Sequence, residues 1–187
     1  APGKYDIILR NDAMASILGA FAGMFSADAA QKGLSPLAGR EGEDMAAECV
    51  TLMDDPLYPI NPSPFDDEGT PSVAKAVIKD GKLETLHTLK TAKKAGVKST
   101  SNGGRSSAGS PVGVRITNFY IAPKEGTLGQ LISELGDGLL ITDFSGLHAG
   151  VNPVSGKFSV LCKGRLIKDG RDVRAVNEIT LSGDFTE

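Results

Sequence analysis

Cysteine is scarce. The chain has two in 187 residues, Cys49 and Cys162, each isolated in sequence. That excludes a disulfide framework and fits a reducing, cytoplasmic setting, where lone cysteines act mostly as small buried hydrophobes. No apolar run reaches the length of a membrane span: the most apolar stretch, Ile17–Phe25, is too short and holds two glycines. No membrane partner is therefore expected. Positive charge is not in excess either. The formal net charge is -3, and Lys and Arg cluster only at Lys90, Lys93 and Lys94, one face of a short helix. Bulk charge thus gives no reason to expect nucleic acid as a partner. Zincin, P-loop and nucleophile-elbow motifs are also missing. Gly103-Gly104 belongs to a small polar loop rather than to a phosphate-binding turn after a strand. There is no signal-peptide pattern, and the opening Ala1-Pro2 in place of Met is the start expected of a processed or truncated product.

What is present is ordinary for a globular domain: 40% hydrophobic and 23% charged residues, in a chain long enough for one sizeable core. Tyr5–Leu9 reads as a short strand. Asn11 or Asp12 can cap a following helix, and Met14, Ile17, Leu18, Phe21, Met24 and Phe25 recur at steps of three and four, one apolar face of a helix. The pattern predicts one long helix from about Asn11 to Lys32, stopped near Gly33. Gly19 and Gly23 lie beside its stripe; each costs a helix about 1 kcal/mol against alanine, which points to a packing reason. Glu48–Met53 is strand-like. Five prolines between Asp54 and Pro71 make that segment an irregular surface loop.

Asp80-Gly81 and Asp169-Gly170 each sit between strand-like flanks and supply the positive φ values of a two-residue hairpin turn. They predict hairpins over 72–79 with 83–88 and over 157–168 with 172–183. Residues 98–113 are nearly all small and polar, the composition of a flexible loop unable to build a core. A strand is expected over 114–121, then a short helix capped by Thr127 and stopped by Gly136, then a strand over 138–144. The sum is an α+β fold, mainly antiparallel sheet and barrel-like, with one long N-terminal helix and two short ones, and not a βαβ nucleotide fold.

Candidate chemistry is thin. Asp66-Asp67-Glu68-Gly69 is the densest acidic cluster and could bind a cation or a substrate amine. The favoured reading is a turn, in which the Asp side chains accept from backbone N–H groups and Gly69 takes a positive φ. His87 and His148 are far apart, and with Cys162 and the acidic run they could assemble a metal site only without any local spacing signature. A strand-face His87 and a loop His148 are the plainer expectation.

An ordered series of segments carries a resemblance. The series runs through Ala1–Leu9, Leu37-Ala-Gly-Arg40 with Gly42-Glu43, Val50-Thr-Leu-Met-Asp-Asp-Pro56 and Pro64-Phe-Asp-Asp-Glu-Gly69. It ends with Gly146-Leu-His-Ala-Gly-Val-Asn-Pro-Val-Ser-Gly156, Phe158-Ser159 and Glu178-Ile-Thr-Leu-Ser-Gly183. Across all 187 residues this resembles the C-terminal domain of the PmbA/TldE family, the partner subunits of TldD/TldE metalloproteases, also called modulators of DNA gyrase. The domain covers about half of the family's usual chain, so residues 1–187 are expected to be that domain, with the N-terminal domain lying outside this chain.

In the TldD subunit the resemblance implies a His-Glu-x-x-x-His helix holding zinc, with the glutamate as general base. Aligned on Gly23, the first histidine falls on Gly19, the glutamate on Ala20 and the second histidine on Met24. None can do the original work, since Gly and Ala carry no ligand atom and Met is a poor zinc ligand. The resemblance therefore implies a non-catalytic subunit without its own cofactor, zinc being expected in a TldD-like partner. It implies a homo- or hetero-oligomer that helps enclose a peptide-degrading chamber in the cytoplasm. Asp66, Asp67, Glu68, Gly69, His148 and Asn152 are then candidates to face the partner or the cavity. Two competing readings are a self-sufficient metallopeptidase with a site relocated to His87, His148, Cys162 or the acidic cluster, and a regulatory binding module linked to DNA gyrase.

Overall fold

The computed structural model describes residues 2–84 and 88–186. In chain order the elements begin with β1 (Ile7–Leu9), α1 (Asn11–Phe21), a 3-10 turn (Ala22–Phe25), α2 (Ala27–Gln31), β2 (Leu52–Asp54), β3 (Lys75–Lys79), β4 (Lys82–Leu83) and α3 (Leu89–Ala95). They continue with β5 (Gly103–Gly104), β6 (Gly113–Val114), β7 (Phe119–Ile121), α4 (Leu128–Leu135), β8 (Gly138–Ser145), α5 (Leu147–Gly150), β9 (Lys157–Lys168) and β10 (Arg171–Asp184). The chain is α+β, as its patterning predicts. It forms two compact units: one of the residues up to Phe21 with Pro123–Asn152 and Gly156–Phe185, the other centred on Ala22–Ala122.

The first unit is built on a four-stranded sheet ordered β1-β8-β9-β10, with β1 parallel to β8 and the remaining pairs antiparallel. Ala13, Ile17, Leu18 and Phe21 lie three and four apart, so they share one face of α1, and that face is buried over the sheet. Leu140, Ile141 and Phe144 of β8 and Val160, Cys162 and Ile167 of β9 are buried in the same unit. Each large side chain fully buried in this way stabilises by about 1.5–3 kcal/mol. Phe21 closes the layer, stacked on Phe185 at 4.4 Å and edge-on to Phe158 at 6.1 Å. The β9–β10 hairpin turns on Asp169 (φ 48°) and Gly170 (φ 68°), the conformation its Asp-Gly pair predicts. Thr127 closes a reciprocal capping box with Gln130 at the start of α4, and Gly136 ends that helix.

The second unit holds an antiparallel sheet ordered β4-β3-β2-β7 and a two-stranded ribbon of β5 and β6. Its core gathers Met24, Phe25, Leu37, Leu52, Val77, Ile78 and Leu83. Asp80 (φ 49°) and Gly81 (φ 78°) make the second Asp-Gly turn.

Several expectations are corrected. The long helix is broken: α1 stops at Phe21, the 3-10 turn follows, and Ser26 starts α2 by accepting from Ala29 N at 3.3 Å. Apolar period alone did not register that Gly23 weakens the helix and that Ser26 is a helix-starting side chain. The end near Gly33 is where it was expected: Leu34 N–H reaches back to Ala29 O at 2.9 Å around Gly33 at φ 70°. Among the described residues five α-helices stand where three were expected, and the sheets are open rather than closed into a barrel. The strands expected over 48–53 and 114–121 shrink to β2, to β7 and to the end of β6. The strand expected over 83–88 is described only as β4, and His87 lies outside the described residues. No helix among the described residues is long and apolar enough to cross a membrane.

Candidate functional site

The positions that would carry zinc chemistry fall on α1 and on the 3-10 turn after it. Gly19 lies on the exposed side of α1, with open space where a Cβ would stand. Ala20 is half-buried, and Met24, in the 3-10 turn, is 1% exposed and part of the second unit's core. Gly and Ala offer no donor atom, and the Met24 thioether is soft and already packed, so these residues do not fit zinc. Among the described residues no three His, Cys, Asp or Glu side chains come together in a way that could hold a metal ion. His148 is exposed on α5, and Asn152 follows it, its N–H donating to Lys157 O at 2.9 Å. Cys162 is buried on β9, where desolvation pushes its thiol upward and keeps it an inert hydrophobe.

The acidic run forms the expected turn. Asp66 Oδ1 accepts from the N–H groups of Glu68 (3.0 Å) and Thr70 (2.8 Å), and Gly69 takes φ 77°. The carboxylates also collect N–H groups from distant segments. Asp66 Oδ2 takes Gly103 N at 3.0 Å, Asp67 takes Arg105 N at 2.7 Å, and Glu68 takes both Leu89 N and Lys90 N at the start of α3. A Cβ on Gly103 would stand 2.7 Å from Glu68 Cγ, so a larger residue there would displace the Glu68 side chain. These oxygens accept from backbone N–H groups of the turn itself, of α3 and of the 98–113 segment.

Beside the turn lies a polar centre that sequence reasoning missed. Asp54, at the end of β2, is 0% exposed. Its Oδ1 accepts from Thr117 N and Thr117 Oγ1, both at 2.8 Å. Its Oδ2 accepts from Asn102 Nδ2 at 2.7 Å and from Lys75 Nζ at 3.5 Å. Burial lowers the Lys75 pKa, and the charge of Asp54 works against that shift. Asn102 is 2% exposed; its Nδ2 also donates to Arg115 O at 2.7 Å, while its Oδ1 has no partner. Ser101 and Gly103 are buried as well, so the segment expected to be a flexible loop places residues 101–103 inside the unit. The signal available in sequence was the adjacent Asp54-Asp55-Pro56, whose partners lie up to 63 residues away.

The arrangement ties the acidic turn, Asp54 and the 98–113 segment together through hydrogen bonds. Comparison with known proteins gives the same lineage. The family model of the PmbA/TldA metallopeptidase C-terminal domain matches residues 2–187. A metalloprotease of Archaeoglobus fulgidus is 35% identical over 90% of this chain and 39% of its own length. The metalloprotease PmbA of Escherichia coli O157:H7 is 27% identical over 98% of this chain and 39% of its own. Among solved structures, a Thermotoga maritima protein described as a modulator of a DNA gyrase superposes with TM-score 0.92 and 40% identity, covering 100% of this chain and 43% of its own. TldE of Thermococcus kodakarensis gives 0.84 and 29% over 98% of this chain and 43% of its own. The chain therefore spans about two fifths of the length of these relatives. With every described element accounted for by this match, the chain belongs to the PmbA/TldA metallopeptidase C-terminal domain family.

Proposed function

We propose that this chain is the C-terminal domain of a non-catalytic, PmbA/TldE-like subunit that works with a TldD-type subunit in peptide proteolysis in the cytoplasm. The observation that carries the reading is the occupancy of the zinc-helix positions. Gly19 and Ala20 have no ligand atom, and Met24 is a core side chain. Two of the positions lie on α1 and the third in the 3-10 turn after it, and none carries a zinc-binding side chain, so on this reading zinc and the general base belong to the partner. The acidic turn supports the same reading, since its carboxylates are engaged in holding α3 and the 98–113 segment in place.

The test is reconstitution. The protein is mixed with a TldD-type protein carrying His-Glu-x-x-x-His, and complex formation, zinc content and hydrolysis of an unstructured peptide are measured. Peptidase activity and zinc are expected to follow the TldD-type subunit, with a stable complex by light scattering. Absence of any complex, or stoichiometric zinc in this protein alone that disappears on His148→Ala, would overturn the proposal.

A further inference from the structure

Asn102-Gly103 is the sole Asn-Gly pair in the chain. Asn61 and Asn152 precede prolines, and the remaining asparagines precede Asp12, Phe119 and Glu178. An asparagine followed by glycine is chemically labile in an open chain. The glycine nitrogen gives up its proton and attacks the asparagine Cγ. The Cγ–Nδ2 bond breaks and ammonia leaves with that proton. Water then opens the cyclic imide at either carbonyl, which leaves aspartate or isoaspartate. Glycine permits the attack because it has no Cβ to hinder its nitrogen.

Packing holds both residues in place. Asn102 is 2% exposed and donates from Nδ2 to Asp54 Oδ2 and to Arg115 O, both at 2.7 Å. A Cβ on Gly103 would meet Asp66 Oδ2 at 3.0 Å as well as Glu68 Cγ. The peptide that joins them is clamped at both of its polar groups. Arg115 N donates to Asn102 O at 2.7 Å, and Gly103 N donates to Asp66 Oδ2 at 3.0 Å. Imide formation requires all of these bonds to break. The attacking nitrogen is engaged, the leaving amide has two acceptors, and the peptide plane cannot turn toward Cγ. Ser101, at φ 60°, holds a left-handed conformation that a serine rarely adopts, so opening of this stretch also relieves strain.

We infer that Asn102-Gly103 is a deamidation site gated by the fold, closed while residues 101–103 are clamped and reacting when that stretch opens, with water as co-reactant. The step runs one way. Aspartate or isoaspartate at 102 replaces an amide donor with a carboxylate that faces Asp54 Oδ2 and the Arg115 carbonyl. Like charge and unmatched acceptors in a buried site then oppose closure. A chain that has opened here is marked by the loss of ammonia and stays open.

The experiment incubates the full protein in neutral buffer, native and in urea, and follows residue 102 by peptide mapping with mass spectrometry. The native chain is expected to deamidate at least about a hundredfold more slowly than the unfolded one, the factor by which a few hydrogen bonds of ordinary worth oppose a local opening. Asp66→Ala, which frees Gly103 N, should speed the native reaction about tenfold. Ile141→Ala truncates the core of the first unit and should leave the rate unchanged. Equal rates in the native and unfolded chains overturn the inference, and so does equal acceleration by both variants, which would make global unfolding the gate. If Asp66→Ala does not fold, the rate at low urea decides. A flat response supports local opening, and a rate that climbs with global unfolding overturns it. Asn102→Asp should lower the melting temperature and speed hydrogen exchange at Gly103 and Arg115. A variant as stable and protected as wild type would overturn the one-way step.

Discussion

The residue that most constrains the second unit is Asp54. A carboxylate with no exposure is tolerable only when its lone pairs are filled, and four donors from Lys75, Asn102 and Thr117 fill them. Those donors come from β3, from the 98–113 segment and from the residues before β7, so one side chain ties together three stretches of chain. Asp54→Ala leaves the half-buried Lys75 ammonium without its counter-charge and takes from the Asn102 amide one of its two acceptors. Loss of one partner from a buried pair costs about 3–5 kcal/mol. A shift of the urea midpoint corresponding to that loss is expected; a variant within about 0.5 kcal/mol of wild type, the range of an ordinary surface substitution, would contradict the geometry. Asn102 Oδ1 remains the single buried side-chain polar atom without a partner among the described residues, a place suited to an ordered water.

Among the elements, the β9–β10 hairpin shows how local signals and longer contacts combine. Its Asp-Gly turn was legible because positive φ at two consecutive residues is a local demand. The lock on that turn was not: Asp137, just before β8, accepts from Asp169 N at 2.8 Å and stands 3.5 Å from Lys168 Nζ. The backbone bond is the main cause that lowers the Asp137 pKa, with the Lys168 charge adding to it. A carboxyl depressed in the folded state contributes stability above its ordinary titration range and loses it as pH falls through the folded value. Carboxyl NMR titration should therefore find Asp137 below the usual aspartate range, and Lys168→Ala, which removes the charge that adds to the shift, should bring it part of the way back up. An unshifted Asp137 in the native protein would refute the lock. The same division explains the rest of what was legible. The Thr127 capping box, Gly136 and the Gly33 stop are set within a few residues. The buried Ser101–Gly103 stretch and the break of the long helix depend on partners far along the chain or on competition between two weak local preferences, which apolar periodicity does not resolve.

For the whole molecule, the family match fixes the lineage, and the proposed division of labour between subunits rests on Gly19, Ala20 and Met24. If Gly19, Ala20 and Met24 leave this protein without a metal site, then a chelator has nothing here to remove. A ligand that binds only the folded state raises stability by an amount set by its concentration over its dissociation constant, so stripping a resident zinc would lower the melting temperature. The isolated protein should melt at the same temperature, within about 1 °C, before and after dialysis against a zinc chelator, because a shift of several degrees is what about 1 kcal/mol produces. The reconstituted complex should lose peptidase activity under the same treatment and regain it when zinc is added back to the TldD-type subunit alone. A chelator-dependent drop of several degrees in the isolated protein, with zinc appearing in the dialysate, would place a metal in this chain and favour the self-sufficient peptidase. An unchanged melt together with loss of activity in the complex assigns the chemistry to the partner and the scaffold to this subunit.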